Sequence, residues 1–207
     1  MSDEVQVKKL AVDFTIREGI TMGTKNFVPI LVNALLWVLT VWIPYLNVGT
    51  TIGLSVGIVA MISRGEAISM TEIFNPKYRK YMGDFFLASG LICLGVSIGT
   101  LFLFIPGIII ALAWSLAIML VIDKGKNPME AITLSNKLTN GYKWRIFGIY
   151  FIPCLVFTVV QSILMAISYA VGNSGFIAFL VFLLMLFEIF VFIGLQASIY
   201  RQLAEGV

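Results

Sequence analysis

Glu188 is the residue whose type and setting most invite chemistry. It stands in LVFLLMLFEIFVFIGL and is the one charged residue deep within an apolar run. A charge at the centre of a membrane helix costs about 2.5–3.5 kcal/mol on insertion scales, so an acid kept there is a functional candidate by default. Two roles fit. Glu188 lines an ion or proton path or binds a cationic substrate, or it is a protonated acid that hydrogen-bonds to Asn33, Gln161 or Gln196 and locks helices together. Ser55, Ser97 and Thr100 extend this set, either as a thin polar seam or as helix-packing groups.

Elsewhere the chain is poor in reactive groups. It has no histidine, which removes the commonest metal ligand and the commonest acid or base at neutral pH. Cys93 and Cys154 both lie in apolar runs and read as small buried hydrophobes rather than as a disulfide or metal pair. There is no nucleophile–base pair, phosphate loop or paired intramembrane carboxylate, and helix capping and topology account for Asp123 and Glu130. The nine methionines are spread along the chain and read as packing. Neither enzymatic activity nor a metal or cofactor is expected, and the net charge of +3 points to no nucleic acid.

The elements that must position Glu188 are membrane helices. Of 207 residues, 59% are hydrophobic and 12% charged, where a soluble domain carries about 25% charged. The mean hydropathy is +0.98. In lipid the backbone must satisfy itself, and nothing here alternates as a barrel strand does. We therefore expect an all-α polytopic protein forming one transmembrane domain of six helices in three hairpins, with spans at about 27–43, 48–63, 84–104, 107–122, 146–171 and 176–200. The first two are short for a hydrocarbon core of about 30 Å. Pro153 is expected to kink the fifth. Turns are expected at Pro44-Tyr45-Leu46-Asn47, Ile105-Pro106-Gly107 and Gly172-Asn173-Ser174-Gly175.

Each hairpin follows an amphipathic segment. Residues 1–25 carry no signal-peptide core. There Val7, Leu10, Ala11 and Phe14 form one stripe between Lys8, Lys9, Asp13 and Arg17, as in a helix lying on the membrane surface. A second interfacial helix is expected at about 69–82, opened by a Ser69-x-x-Glu72 capping box. A third is expected at 127–140, with Asn127 as N-cap, Pro128 at the first position, Ala131, Leu134, Ser135 and Leu138 buried, and Asn140-Gly141 as the stop. Lys77, Arg79, Lys80, Lys143, Trp144 and Arg145 are placed at lipid headgroups or act simply as topology markers. Gly49, Gly53 and Gly57 form a close-packing row on the second span, and Gly107, Ala111 and Ser115 repeat it on the fourth.

Ser69, Glu72 and Gly83 superpose on Asn127, Glu130 and Gly141 at an offset of 58. The chain thus reads as three units running in the same direction, a parallel repeat. All 14 Lys and Arg fall before span one, between spans two and three, between four and five, and after six. The positive-inside rule then puts both termini in the cytoplasm of a multi-pass protein of the cell membrane.

Ile105-Pro106-Gly107, Trp114-Ser115, Asp123, Pro128, Glu130-Ala131, Ser135, Leu138, Gly141, Lys143-Trp144 and Phe147 together resemble a group of prokaryotic integral membrane proteins. These are related to the membrane domain of glycerophosphoryl diester phosphodiesterases. The resemblance is clearest over about residues 84–150 and implies a multi-helix membrane fold. The phosphodiesterase chemistry of the namesake resides in a separate soluble domain with no counterpart in these residues, so no catalytic residue carries over. Two functions remain open: an oligomeric channel- or transporter-like protein for a small solute or ion, or a non-transporting organiser that holds lipid headgroups or a partner protein through its basic segments.

Overall fold

The computed structural model describes residues 10–172, 174–204 and 206, so Val7, Lys8 and Lys9 of the expected stripe and Asn173 of the last turn lie outside the described residues. Among those residues every regular element is helical. In chain order these are α1 (Val12–Lys25), α2 (Phe27–Thr40), α3 (Leu46–Ile52), a π-helical turn (Gly53–Gly57) and α4 (Ile58–Arg64). Two 3-10 turns (Glu72–Phe74, Pro76–Tyr81) lead to α5 (Met82–Phe102), α6 (Phe104–Ala113), α7 (Ala117–Lys124), α8 (Pro128–Thr139), α9 (Lys143–Ala170) and α10 (Gly175–Ala204). Five stretches are long and apolar enough to cross a membrane: Leu46–Arg64, Pro76–Phe102, Phe104–Lys124, Lys143–Ala170 and Gly175–Ala204. The bent pair α1–α2, meeting at 72°, makes a sixth if it is one span.

Packing is uneven along the bundle. The core residues Ile30, Ile62, Leu120, Ile146, Leu195 and Ile199 cluster toward the end that carries the basic residues. At the opposite end the hairpin tips are bare, with Phe102 and Tyr169 each 81% exposed. Lipid tails are as apolar as leucine, so no hydrophobic force closes helices onto one another. Contact forms where small residues and polar pairs favour it.

The first such place is α1, which does not lie alone on a surface but packs along the last turns of α10. Its buried side is Thr15, Gly19 and Gly23, while Phe14 is 54% exposed. The chosen face is the one that lets backbones meet. A β-carbon on Gly194 would overlap the Gly19 carbonyl, and one on Gly23 would overlap that of Phe190. Asn26 marks the corner where α1 turns into α2, and its side chain donates to the Met22 carbonyl at 2.9 Å.

Several joints differ from the sequence reading. The turn between α5 and α6 is Leu103 alone, in extended backbone, so Ile105-Pro106-Gly107 sits in the first turn of α6, where proline loses no intrahelical hydrogen bond. The 69–82 interval is not an α-helix. Glu72 does not reach back to Ser69, because Tyr78, Lys77 and Asn75 all donate to its Oε1. Instead Asn75 caps the second 3-10 turn ahead of Pro76, and Asn127 caps α8 ahead of Pro128 in the same way. The buried face of α8 is Pro128, Ala131, Ile132, Ser135 and Thr139, rotated from the expected Leu134 and Leu138, because hydroxyls are needed on that side. The α9 helix runs through Pro153 without interruption. Cys93 and Cys154 are exposed on the outer faces of α5 and α9 rather than buried, since neither helix is enclosed at that level.

Replacing Gly194 by Leu is expected to lower stability in mixed micelles by about 1–3 kcal/mol or more through overpacking. Gly83, with nothing within 4 Å of a built β-carbon, is expected to accept Ala without loss. Detergent-unfolding midpoints of the two variants make the check.

Candidate functional site

One membrane-crossing stretch is broken and another widens into a π-helical turn; at the break, side chains from elsewhere satisfy the freed backbone. The stretch Phe104–Lys124 breaks at Trp114–Leu116, between α6 and α7. Ser135 of α8 donates to the Ala113 carbonyl at 2.8 Å and accepts from Leu116 N at 3.2 Å. Thr139, one turn on, donates to the same carbonyl at 3.1 Å. The α8 helix is therefore the hydrogen-bonding partner of a broken span. Ser115 bonds back to Leu112 and Ala111 is exposed, so neither continues a packed row from Gly107. Gly107 alone packs, against Thr100, while Gly99 meets the Gly107 backbone and Gly95 faces the Trp114 ring.

The second irregularity is the π-helical turn at Gly53–Gly57, through which the helix runs on unbroken. Gly49, Gly53 and Gly57 do accept close neighbours, but these come from the 3-10 segment and the first residue of α5 rather than from the length of a helix. Arg79 and Met82 lie over Gly49, Ile73 and Tyr78 over Gly53, and the Tyr78 ring fills the space at Gly57. The Tyr78 hydroxyl then donates to Glu72 Oε1 at 2.8 Å, and Lys77 Nζ lies 2.8 Å from the same oxygen. Asn33 of α2 holds this segment in place. Its amide donates to the Pro29 and Ser69 carbonyls, both at 2.8 Å, and its oxygen accepts from Ile73 N at 3.1 Å. All of its polar capacity is used by backbone, and it does not meet Glu188.

Glu188 does meet Gln161. The amide of Gln161 on α9 donates to Glu188 Oε2 on α10 at 3.0 Å. The carboxyl is half-buried and lines a crevice of about 610 Å³ with Leu54 and Ser55 of the π-helical turn, Tyr150 of α9, and Met185, Ile189, Phe192, Ile193 and Gln196 of α10. Gln196 shares the crevice but turns its amide to the Met119 sulfur at 3.7 Å. Tyr150 stacks on Phe192 with ring centroids 6.2 Å apart. Ser55 and Thr100 bond their own helices, at Thr51 and Val96, and build no seam. The site is an apolar cleft holding one acid with one fixed amide donor, suited to accepting a proton, a cation or a donor group of an amphiphilic solute.

Two polar clusters at the basic end escaped the sequence reading. Asp123, ending α7, accepts from Arg64 of α4 and from Tyr200 of α10 at 2.8 Å. Glu18 of α1 takes Arg201 and Ser198, and Gln202 Nε2 lies 3.2 Å away. The signal for the second was Ser198, Arg201 and Gln202, three and four apart on one helical face. Outside the spans, the hydrogen bond from Arg64 holds the Glu66 carboxyl below its ordinary range. Glu66 is exposed, so this pair adds little. What it adds is present at neutral pH and lost as pH falls through that lowered value. Among the residues assigned to headgroups, Trp144 is 69% exposed. Lys77 is tied to Glu72, Arg79 lies over Gly49, and Lys80 is exposed near the Tyr81 ring. Lys143 opens α9, and Arg145 donates to the Leu10 carbonyl at 3.1 Å.

Fold and site together define an all-α polytopic membrane protein. Comparison with protein-family models, with curated proteins and with solved structures finds no match to this chain.

The double variant Ser135→Ala, Thr139→Val leaves the Ala113 carbonyl and Leu116 amide without partners. It is expected to lose about 1–3 kcal/mol per unsatisfied buried group, read as a lower unfolding midpoint. Thr133→Ala, on the exposed side of the same helix, is expected to change it little.

Proposed function

We propose that this protein is channel- or transporter-like, taking a small solute or ion at the crevice beside Glu188 and working as a homo-oligomer in the cell membrane. One observation carries the reading: the acid deep in α10 and a π-helical turn within another span line the same crevice. Such π-turns recur at functional sites. The mainly apolar lining around one carboxyl favours an amphiphilic or singly charged cationic solute over a strongly hydrated ion. The open faces of α9 and α10 at mid-span supply surface for a second copy. Both termini lie in the cytoplasm in this proposal, on the side of the basic intervals.

The relation to the membrane domain of glycerophosphoryl diester phosphodiesterases, and the parallel repeat, belong to the same proposal. The Asn-Pro caps at Asn75-Pro76 and Asn127-Pro128 recur at an offset of 52 (127 − 75) rather than 58, so they support a shared way of opening the segment but not the register of Ser69 on Asn127. A second reading, the membrane organiser, is favoured by the locked state of the helix break. Ser135 and Thr139 satisfy the α6–α7 break from within and Asn33 fixes the 3-10 segment, leaving the basic face with the exposed Trp144 as the surface for headgroups or a partner.

Glu188→Cys, after removal of Cys93 and Cys154, separates the two. Modification by a water-soluble thiol reagent in proteoliposomes, together with loss of most cation or proton flux in Glu188→Gln, is expected. Complete protection with unchanged flux sinks the transport reading. A cysteine at Lys137 is expected to react only from the cytoplasmic side, and strong labelling from outside overturns the orientation.

A further inference from the structure

A second cavity lies at the basic end, away from Glu188. It encloses about 600 Å³ between α1, the end of α4 and the last turn of α10. Arg17, Thr21 and Lys25 approach it at spacings of four, on one face of α1, and Phe14, Met22 and Ile62 add apolar wall. Glu18, Glu66 and Arg201 also border it. The two acids are already engaged, Glu18 by Arg201 and Glu66 by Arg64. Among the described residues neither Arg17 nor Lys25 has an ion-pair partner. The Thr21 hydroxyl donates to the Arg17 carbonyl at 2.9 Å, so among the described residues the cavity is left with two uncommitted cations facing one space.

Its depth is set by both walls. On one, Lys25 and Asn26 form the corner at which α1 bends by 72° into the apolar α2. On the other, α4 ends at Gly65 with a positive φ of 70°. The α4 end and Arg17, next in sequence to the Glu18 that pairs with Arg201, mark the boundary where apolar sequence stops, which is headgroup level. The α1 helix runs antiparallel to α10, so Lys25, just past the Gly23–Phe190 contact, lines the same cavity from deeper in the span. Two cations beside an apolar wall match a phosphate diester with acyl chains against that wall, since phosphate oxygens take charge-assisted hydrogen bonds from Arg and Lys.

We propose that Arg17 and Lys25 form a binding site for the phosphate of an anionic glycerophospholipid, with Phe14, Met22 and Ile62 against its upper acyl region. The site depends on the chain spanning a membrane but not on the role of Glu188. By anchoring a lipid at the α1–α2 corner it would tie the α1–α10 contact to the surrounding leaflet.

Native mass spectrometry of the purified full chain, titrated with phosphatidylglycerol or phosphatidylcholine, tests this. The wild type is expected to prefer phosphatidylglycerol. Arg17→Gln with Lys25→Gln is expected to weaken that lipid by roughly tenfold or more, leaving phosphatidylcholine binding and the unfolding midpoint unchanged. Lys80→Gln with Lys137→Gln, exposed cations elsewhere, is expected to change it far less. Wild-type affinity in the first variant, or equal losses in both, overturns the site. Displacement of the lipid by an equal concentration of glycerol 1-phosphate, which lacks acyl chains, overturns the lipid assignment in favour of a soluble phosphate ester.

Discussion

The structure depends on how closely α1 approaches α10. Backbone meets backbone at Gly19, Gly23 and Gly194, a distance that no side chain there would permit. Lipid supplies no hydrophobic force to pull helices together, so dispersion between close backbones and polar pairing must do it. Once these helices touch, Glu18 comes within reach of Ser198 and Arg201, and Thr15 within reach of Gln202. The same docking leaves the Leu10 carbonyl beside Arg145, which brings in α9. Asp123, between Arg64 and Tyr200, ties in the α4 and α7 ends. The bundle is gathered at its basic end by these contacts and left open at the other, where α5–α6 and α9–α10 rely on their own hairpin packing.

Polar side chains in the apolar part of this chain divide by what the backbone demands of them. Asn33, Ser135 and Thr139 each spend their hydrogen bonds on main-chain groups that a turn or a broken helix leaves free. An unpaired amide or carbonyl in such surroundings costs several kcal/mol, so these residues are structural by necessity. Glu188 and Gln161 answer no such demand. They bond to each other, and the carboxyl still faces a crevice. That contrast separates a candidate site from packing more sharply than depth in the membrane does.

Much of the architecture was legible because its causes are local. Apolar runs of about 20 residues must be helices in lipid, and the Asn127-Pro128 start of α8 and the Gly141 stop follow from side-chain and φ chemistry within a few residues. The Glu188–Gln161 pairing was among those expected, because few polar partners exist at that depth. Other signals were ambiguous for a physical reason. Proline suits a turn and the first turn of a helix equally well, so Pro106 did not locate the α5–α6 corner. Ser69-x-x-Glu72 has the spacing of a capping box, but the carboxylate found Lys77 and Tyr78 nearer. A glycine row announces that something comes close without saying what, and at Gly53 and Gly57 the visitor is an aromatic ring from a 3-10 turn.

The sequence by itself determined the helical class, the long apolar stretches after residue 45 and the asymmetric placement of charge, since each follows from hydropathy, length and the cost of moving Lys or Arg across lipid. It also singled out Glu188 as the acid without a local explanation. Only the tertiary structure decided which small residues meet, which spans break, and which polar groups those breaks consume. These outcomes rest on contacts between residues such as Gly19 and Gly194, or Ala113 and Ser135. The partner there lies on another element, and its hydrogen-bonding or steric fit has no signature in the spacing along the chain.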